Sequence, residues 1–402
     1  MEIAKLAGLS SLWRDNGVAV ACDSEDEPLV AVVLPPREGF GPRRAGAIGL
    51  LARRHVATPG FRTVIIGGPQ PGPVFPDVAF QPVRPSLLWP GNVNLRFAQA
   101  ASHLLRRMSP ALIEVHNRPE TALRLARLLP QVPVTLLLHN DPQSMREART
   151  PAERAVLLRH MALVMTSSGY LRDRLLDGLE AMACSVAVQP NCIDLAELPA
   201  PRPRERLILF AGRVVPDKGP DMFVAACSQA LPQLPGWRAE IIGADRFSET
   251  SPSTAFVRRV RKAARDAGVK MAGYLDHPLV LEANARASIA VVPSRWPEPF
   301  GLTALEALAS GAVLITSGRG GLREVAGDAA LYVDPDNPAS IADAILRLAN
   351  DTSLREALGA AGRERARQFD VPVVAARIAA LRRQVLAGRA RPGSVESATP
   401  DN

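Results

Sequence analysis

Along residues 29–388, short runs of β-branched and aliphatic residues alternate with longer stretches in which apolar positions recur every three or four residues. The first pattern is that of strands buried on both faces, the second that of helices with one apolar stripe. Strands are predicted at 29–35 (LVAVVLP), 62–66, 111–115, 133–138, 162–166 and 184–188, with helices at 94–107, 119–129 and 168–177 between them. After the first strand a Pro-Pro step and Gly39, Gly41 and Gly46 form a loop that opens into a helical pattern running to 54.

A connector with Pro199, Pro201 and Pro203 then interrupts helix and ladder alike. A second series follows, with strands at 207–212, 239–243, 269–273, 288–293, 312–317 and 330–335. Its helices fall at about 219–230, 253–267, 278–285, 302–310 and 337–349, and two more at 353–367 and 371–388. Such alternation predicts an α/β protein of two doubly wound, Rossmann-like domains facing each other across a cleft. The expected units are 1–198, 199–370, a helix at 371–388 placed to cross back to the first domain, and a disordered polar tail at 389–402. Residues 1–28 match no pattern and count as an extension. Ligands of such sheets collect at the carboxyl ends of the strands, so the cleft is the expected site.

Composition narrows the function. At 402 residues, 47% of them hydrophobic and 22% charged, the chain is globular and too long for a single small module. Its net charge of +8, from 44 Arg and 4 Lys, suits anionic ligands or an acidic membrane surface. Aromatic residues make up only 4%, too few for a base-stacking platform, which argues against nucleic acid as a partner. Cys22, Cys184, Cys192 and Cys227 show neither metal-ligand spacing nor disulfide density and are expected as reduced thiols. Without a secretory signal or an apolar stretch near ~18 residues, a cytoplasmic protein is expected, touching the inner membrane peripherally if at all.

Two segments carry candidate chemistry. In FAGRVVPDKG (210–219) a strand ends at Gly212, and Arg213 and Lys218 flank a loop opening into a helix. Two cations at a helix start form a diphosphate clamp, or else a pair of solvated charges beside a turn. In EPFGLTALEALASG (298–311) Glu298 precedes a helix and Glu306 lies inside it, while Phe300, Gly301, Leu302 and Thr303 form its start. Free amides there suit an anion, and the carboxylates suit sugar hydroxyls, although acidic residues also occur at helix starts for the dipole alone.

The order GR-x4-K, E-x7-E and GG-x2-E (Gly320, Gly321, Glu324) resembles glycosyltransferase family 4, retaining sugar-nucleotide transferases of the GT-B fold. EGFGPRRAGAIGLL, VHNRPE, LLLHND, TSSGYLRDRL and QPNCIDL extend the likeness over roughly 30–385, with wording similar to the bacterial spore-coat and surface-polysaccharide branch. The resemblance implies that Arg213 and Lys218 bind the donor diphosphate, Glu306 the ribose, Glu298 the transferred sugar, and Gly301, Leu302 and Thr303 supply backbone donors. It casts His116 as the histidine pointing into the cleft. His139, which also closes a strand, is expected to line the same cleft, and Gly39 and Gly41 to let their loop approach the phosphate or the acceptor, with Arg44 or its neighbour Arg43 contacting an anionic acceptor.

No Asp-x-Asp metal site appears where a metal-dependent transferase would need one, so no metal or other cofactor is implied. Asn191-Cys192-Ile193-Asp194 puts a side chain where the family usually has Gly, which could distort that turn. The expected function is transfer of a hexose from a nucleotide-diphosphate sugar to a glycan or lipid-linked acceptor in surface polysaccharide or lipopolysaccharide synthesis. A sugar-nucleotide epimerase of the same fold and a non-catalytic coat or scaffold protein are the alternatives. An oxidoreductase is disfavoured, because no strand leads into Gly-x-Gly-x-x-Gly with an acid about 20 positions on.

Overall fold

The computed structural model describes residues 27–42, 45–246 and 251–388, without the side chains of 183–185. The leading segment, Cys22, Arg43, Arg44 and the tail at 389–402 lie outside the described residues.

Seven strands form the first sheet: β1 (Leu29–Val33), β2 (Arg62–Gly67), β3 (Phe80–Pro82), β4 (Leu112–His116), β5 (Val134–Leu138), β6 (Leu163–Thr166) and β7 (Val186–Val188). Their order is β3-β2-β1-β4-β5-β6-β7, parallel throughout. Between them run helices α1 (Ala47–His55), α2 (Val93–Met108), α3 (Pro119–Leu128), α4 (Pro151–His160) and α5 (Gly169–Leu176). Alternate residues of one strand serve opposite layers. Ala31 and Val33 pack with Phe97 and Leu105 of α2, whereas Val30 and Val32 share a cluster with Ala52 of α1. Burial on both faces explains the unbroken apolar runs.

The second sheet repeats the plan with β8 (Glu205–Ala211), β9 (Arg238–Ile242), β10 (Val269–Gly273), β11 (Ala287–Val292), β12 (Val313–Thr316) and β13 (Ala330–Tyr332). Its order is β10-β9-β8-β11-β12-β13, again parallel. Helices α6 (Pro220–Ala230), α7 (Ala255–Asp266) and α11 (Pro338–Asn350) cover one face. Helices α8 (His277–Arg286), α9 (Leu302–Ser310) and α10 (Leu322–Ala326) cover the other. Strand order reverses between β1 and β4 and between β8 and β11, and each reversal leaves a crevice at the strands' carboxyl ends.

Helix α12 (Thr352–Arg367) stays with the second sheet: its Ala366, with Phe369 just beyond it, belongs to that sheet's core. Helix α13 (Val371–Leu386) returns to the first. Ala379 and Val385 enter the cluster of Val30 and Ile65, and Val374 and Ile378 pack with Leu51 and Cys192. The buried Arg382 of α13 reaches Glu114 of β4, Nε to Oε2 at 3.3 Å. Removing one member of such a pair strands a charge away from water, at a cost of about 3–5 kcal/mol, against about 0–1 for an exposed pair. Arg382→Ala should therefore lower unfolding stability in urea far more than Arg367→Ala, whose partner Glu364 is exposed.

Candidate active site

All strands of both sheets run parallel, so the loops at their carboxyl ends meet across one cavity of about 340 Å³. The second domain contributes Gly212 and Arg213 after β8, Lys218 before α6, and Glu298 to Thr303 and Glu306 around the start of α9. The first domain contributes Ala45 to Ile48 at the start of α1, with His139, Asn140 and Asn191.

Helix α9 starts abruptly. Its N-cap, Gly301, has φ 108 and offers no side chain to the first amides. The first backbone bond back into the turn is Leu305 N to Gly301 O, so the amides of Leu302 and Thr303 are available to a ligand in the cavity they line. A Cβ on Gly301 would lie 2.5 Å from Leu322 Cδ2, which together with its φ explains why glycine is needed.

Lys218 Nζ donates to both oxygens of Glu298, at 2.5 and 2.7 Å, and Ser294 Oγ donates to Glu298 Oε1 at 2.7 Å. The cation expected in the diphosphate clamp and the acid expected at the transferred sugar are thus ion-paired with each other. Glu306 Oε1 lies 2.8 Å from His277 Nε2, in the first turn of α8. Sequence reasoning did not single out His277 or Ser294, nor the lining residues Asn140, Arg246 and Tyr274. The Asp276-His277-Pro278 helix start was the available signal for His277.

On the opposite wall the histidines exchange places relative to expectation. His116, the last residue of β4, is fully buried and does not reach the cavity. His139 lines it, with Nε2 3.2 Å from His116 Nδ1. The other nitrogen of His116 lies 3.2 Å from Glu114 Oε1, and the ring centroid of His55 is 5.9 Å away. Glu114, His116 and His55 could bring ligand atoms within 4.8 Å of one another, but Arg382 already neutralises Glu114 there. Desolvation pushes His139 well below the usual imidazole range, and it pushes His55 down to about 3, helped by His116.

The expected glycine contacts are also corrected. Gly41 packs against Pro73, whose carbonyl a Cβ would meet at 2.2 Å, and neither Gly39 nor Gly41 lines the cavity. Gly46, the N-cap of α1, takes that place. Arg44 lies outside the described residues. Cys192 distorts nothing: among the described non-glycine residues only Ser109, Asn117 and Glu147 have positive φ. Its side chain is buried beside Leu51, and burial raises its thiol to about 12.

The two domains also touch directly. Ser168 Oγ donates to Pro299 O at 2.5 Å, and Glu324 accepts from Gly169 N and Tyr170 N at 2.7 Å each. The acid of the GG-x2-E segment thus caps α5 across the domain boundary.

Two doubly wound domains around an anion-receptive gap define the GT-B architecture of glycosyltransferases. Residues 49–197 match Glycosyltransferase Family 4, and residues 197–365 match the family described as Glycosyl transferases group 1. The chain belongs to these family 4 glycosyltransferases. It is similar to the glycogen synthase of Mycobacterium tuberculosis, 32% identical over 256 residues that span 61% of this chain and 60% of that protein. Among solved structures, sucrose-phosphate synthase from Thermosynechococcus elongatus superposes with a TM-score of 0.72 at 21% identity, covering 89% of this chain and 99% of that one. Anabaena HepE in complex with UDP and glucose superposes with a TM-score of 0.70 at 16% identity, covering 88% and 99%.

His55 is neutral in the fold and takes up a proton on unfolding. Its folded value of about 3 lies below the unfolded one near 6.5, so stability falls as pH drops through that window. Each such proton tilts stability by about 1.4 kcal/mol per pH unit. Denaturation midpoints measured from pH 6.5 to 4 should fall less steeply in His55→Gln than in the parent. A second expectation concerns Gly301→Ala: contact and φ together should cost about 1–3 kcal/mol, visible as a lowered Tm.

Proposed function

We propose that this protein is a retaining glycosyltransferase that moves a hexose from a nucleotide-diphosphate sugar to a glycan or lipid-linked acceptor. The observation that carries the reading is the convergence of Arg213, Lys218 and the open amides of α9 with two carboxylates in one interdomain cavity. The cations and amides take the diphosphate, where negative charge grows as the sugar departs. Glu306 holds the ribose, with His277 fixing its carboxylate. Glu298 takes the sugar hydroxyls once a donor phosphate competes for Lys218. His139, rather than His116, faces the sugar from the first domain.

In the reaction the bond from the sugar's anomeric carbon to the diphosphate oxygen breaks with its electron pair on the leaving group. The acceptor oxygen bonds to the same face, and its proton passes to the departing diphosphate. Positioning and charge stabilisation supply the acceleration. Because protein cations provide that charge, we assign the step no metal, and turnover should survive EDTA.

A solved fold neighbour holding UDP and glucose is compatible with a nucleotide-sugar donor. A role in bacterial surface polysaccharide or lipopolysaccharide synthesis, in the cytoplasm at the inner membrane face, fits a lipid-linked acceptor. Among the described residues no helix is long and apolar enough to cross a membrane.

Lys218→Ala and Glu306→Ala should each weaken donor binding or turnover about tenfold or more, since a lost charged hydrogen bond costs ~1.5–3 kcal/mol. Thermal shifts with UDP-, GDP- and ADP-sugars identify the donor for that measurement. Parental donor affinity in both variants would overturn the assignment, and turnover of donor without acceptor to an isomeric sugar would identify an epimerase instead.

A further inference from the structure

Beside the cleft, on the first domain alone, lies a second cavity of about 350 Å³ at the carboxyl ends of β1 and β4. Arg37, Arg118 and Arg146 line it, from the loops after β1, β4 and β5. Glu120 is the one carboxylate in its wall, and both its oxygens are occupied, by Asn92 Nδ2 at 2.5 Å and Asn94 Nδ2 at 3.1 Å. Arg118 is half-buried, and its only side-chain hydrogen bond to a described residue goes from Nη1 to Asn117 O at 2.7 Å. Desolvation disfavours its charge, and Glu38, held by Gly49 N at 3.1 Å, acts on it without forming an ion pair. Arg37 and Arg146 are exposed and form no ion pair with the described residues. Three guanidiniums therefore face one cavity with none of them ion-paired to a described residue, which favours a dianionic oxyanion able to accept bidentate forks.

The cavity adjoins the proposed reaction site. Asn117, buried and at φ 55, forms the partition: its Oδ1 accepts from His139 N and Asn140 N at 3.1 Å each, and both those residues line the main cleft. A left-handed asparagine costs energy that these two bonds offset. A molecule with its phosphate among the arginines would thus lie one residue away from His139.

We infer that this arginine pocket binds a phosphate or diphosphate group of the acceptor, so that the acceptor substrate is a phosphorylated one. The inference rests on the glycosyltransferase reading for the word acceptor, but not for the anion site itself. A soluble sugar phosphate and a lipid-linked diphosphate share this chemistry. A neighbouring cavity shares Glu120 and is lined by Trp89 and Leu95 together with the polar His103, Arg124, Arg127 and Glu147, and the loop leading into Trp89 exposes Leu87 by 80% and Leu88 by 94%, two apolar side chains that a lipid chain could cover.

The test uses the full chain carrying Arg213→Ala and Lys218→Ala, which disables the donor clamp. Glucose 1-phosphate and farnesyl diphosphate are titrated into it by calorimetry. At least one probe is expected to bind, and adding Arg118→Ala with Arg146→Ala should weaken it tenfold or more, while Arg118→Lys restores part of the loss. Tighter binding of farnesyl diphosphate identifies a lipid-linked acceptor, and equal or tighter binding of glucose 1-phosphate a soluble one. No binding of either probe, or affinity unmoved by the arginine substitutions in a variant with the parental circular dichroism, overturns the proposal. Failure of the donor reading shows separately, as parental donor affinity in Lys218→Ala.

Discussion

The Lys218–Glu298 pair ties together the two loops on which the cleft is built. Lys218 ends the loop after β8, and Glu298 belongs to the loop after β11, the neighbouring strand across the order reversal. Arg295 N and Trp296 N reinforce the junction by donating to Asp217 O at 2.9 and 3.2 Å. Two cations side by side without an acid would repel each other. Pairing one cation with an acid satisfies both charges and holds the two loops together. On the proposed reading, a donor diphosphate would take over Lys218 and leave the carboxylate to sugar hydroxyls, exchanging one satisfied charge for another.

Beneath the opposite wall, His139 rests on a chain of buried polar groups that runs through His116 and Glu114 to Arg382. Arg382 comes from the last described helix, so the far end of the chain is fastened under the residue facing the cleft. Burial keeps His55 and His139 neutral near pH 7, and Arg382 holds Glu114 charged, well below the usual carboxylate range despite its desolvation. One net pair in a dry layer, flanked by neutral imidazoles, gives the wall a fixed orientation without an exposed charge.

Most of the architecture is legible in the chain because parallel strands buried on both faces leave uninterrupted apolar runs. The missed elements lack that signature. β3 is three edge residues, Phe80–Pro82, without alternation. α4 follows a Thr150–Glu153 capping box that was readable, but its buried Arg154 breaks the apolar stripe by donating to Leu175 O, Arg149 O and Asp177 O. The second-domain wall of the cavity was legible at residue level, since Arg213, Lys218, Glu298, Gly301 and Glu306 all lie in or beside two short loops at strand ends. The first-domain wall was not. Whether His116 or His139 faces the cavity depends on where each strand stops: β4 includes His116 within its pairing to β5, whereas β5 ends at Leu138 and releases His139. A one-residue difference in strand length is invisible to hydrophobic pattern.

The two cavities also differ in the kind of group each would offer an anion. On the second domain much of the positive potential comes from backbone amides at a helix start, which are rigid and need no rotamer to be ordered. On the first domain it comes from arginine side chains, two of them exposed, which lose entropy on binding but adjust to ligands of different size. A leaving diphosphate must be held in one geometry for transfer, so rigid amides suit it. An anchor remote from the reacting bond has only to hold its molecule near His139, and flexible guanidiniums suffice for that. On the proposed reading, such a division of labour follows from which part of each substrate changes charge during the reaction.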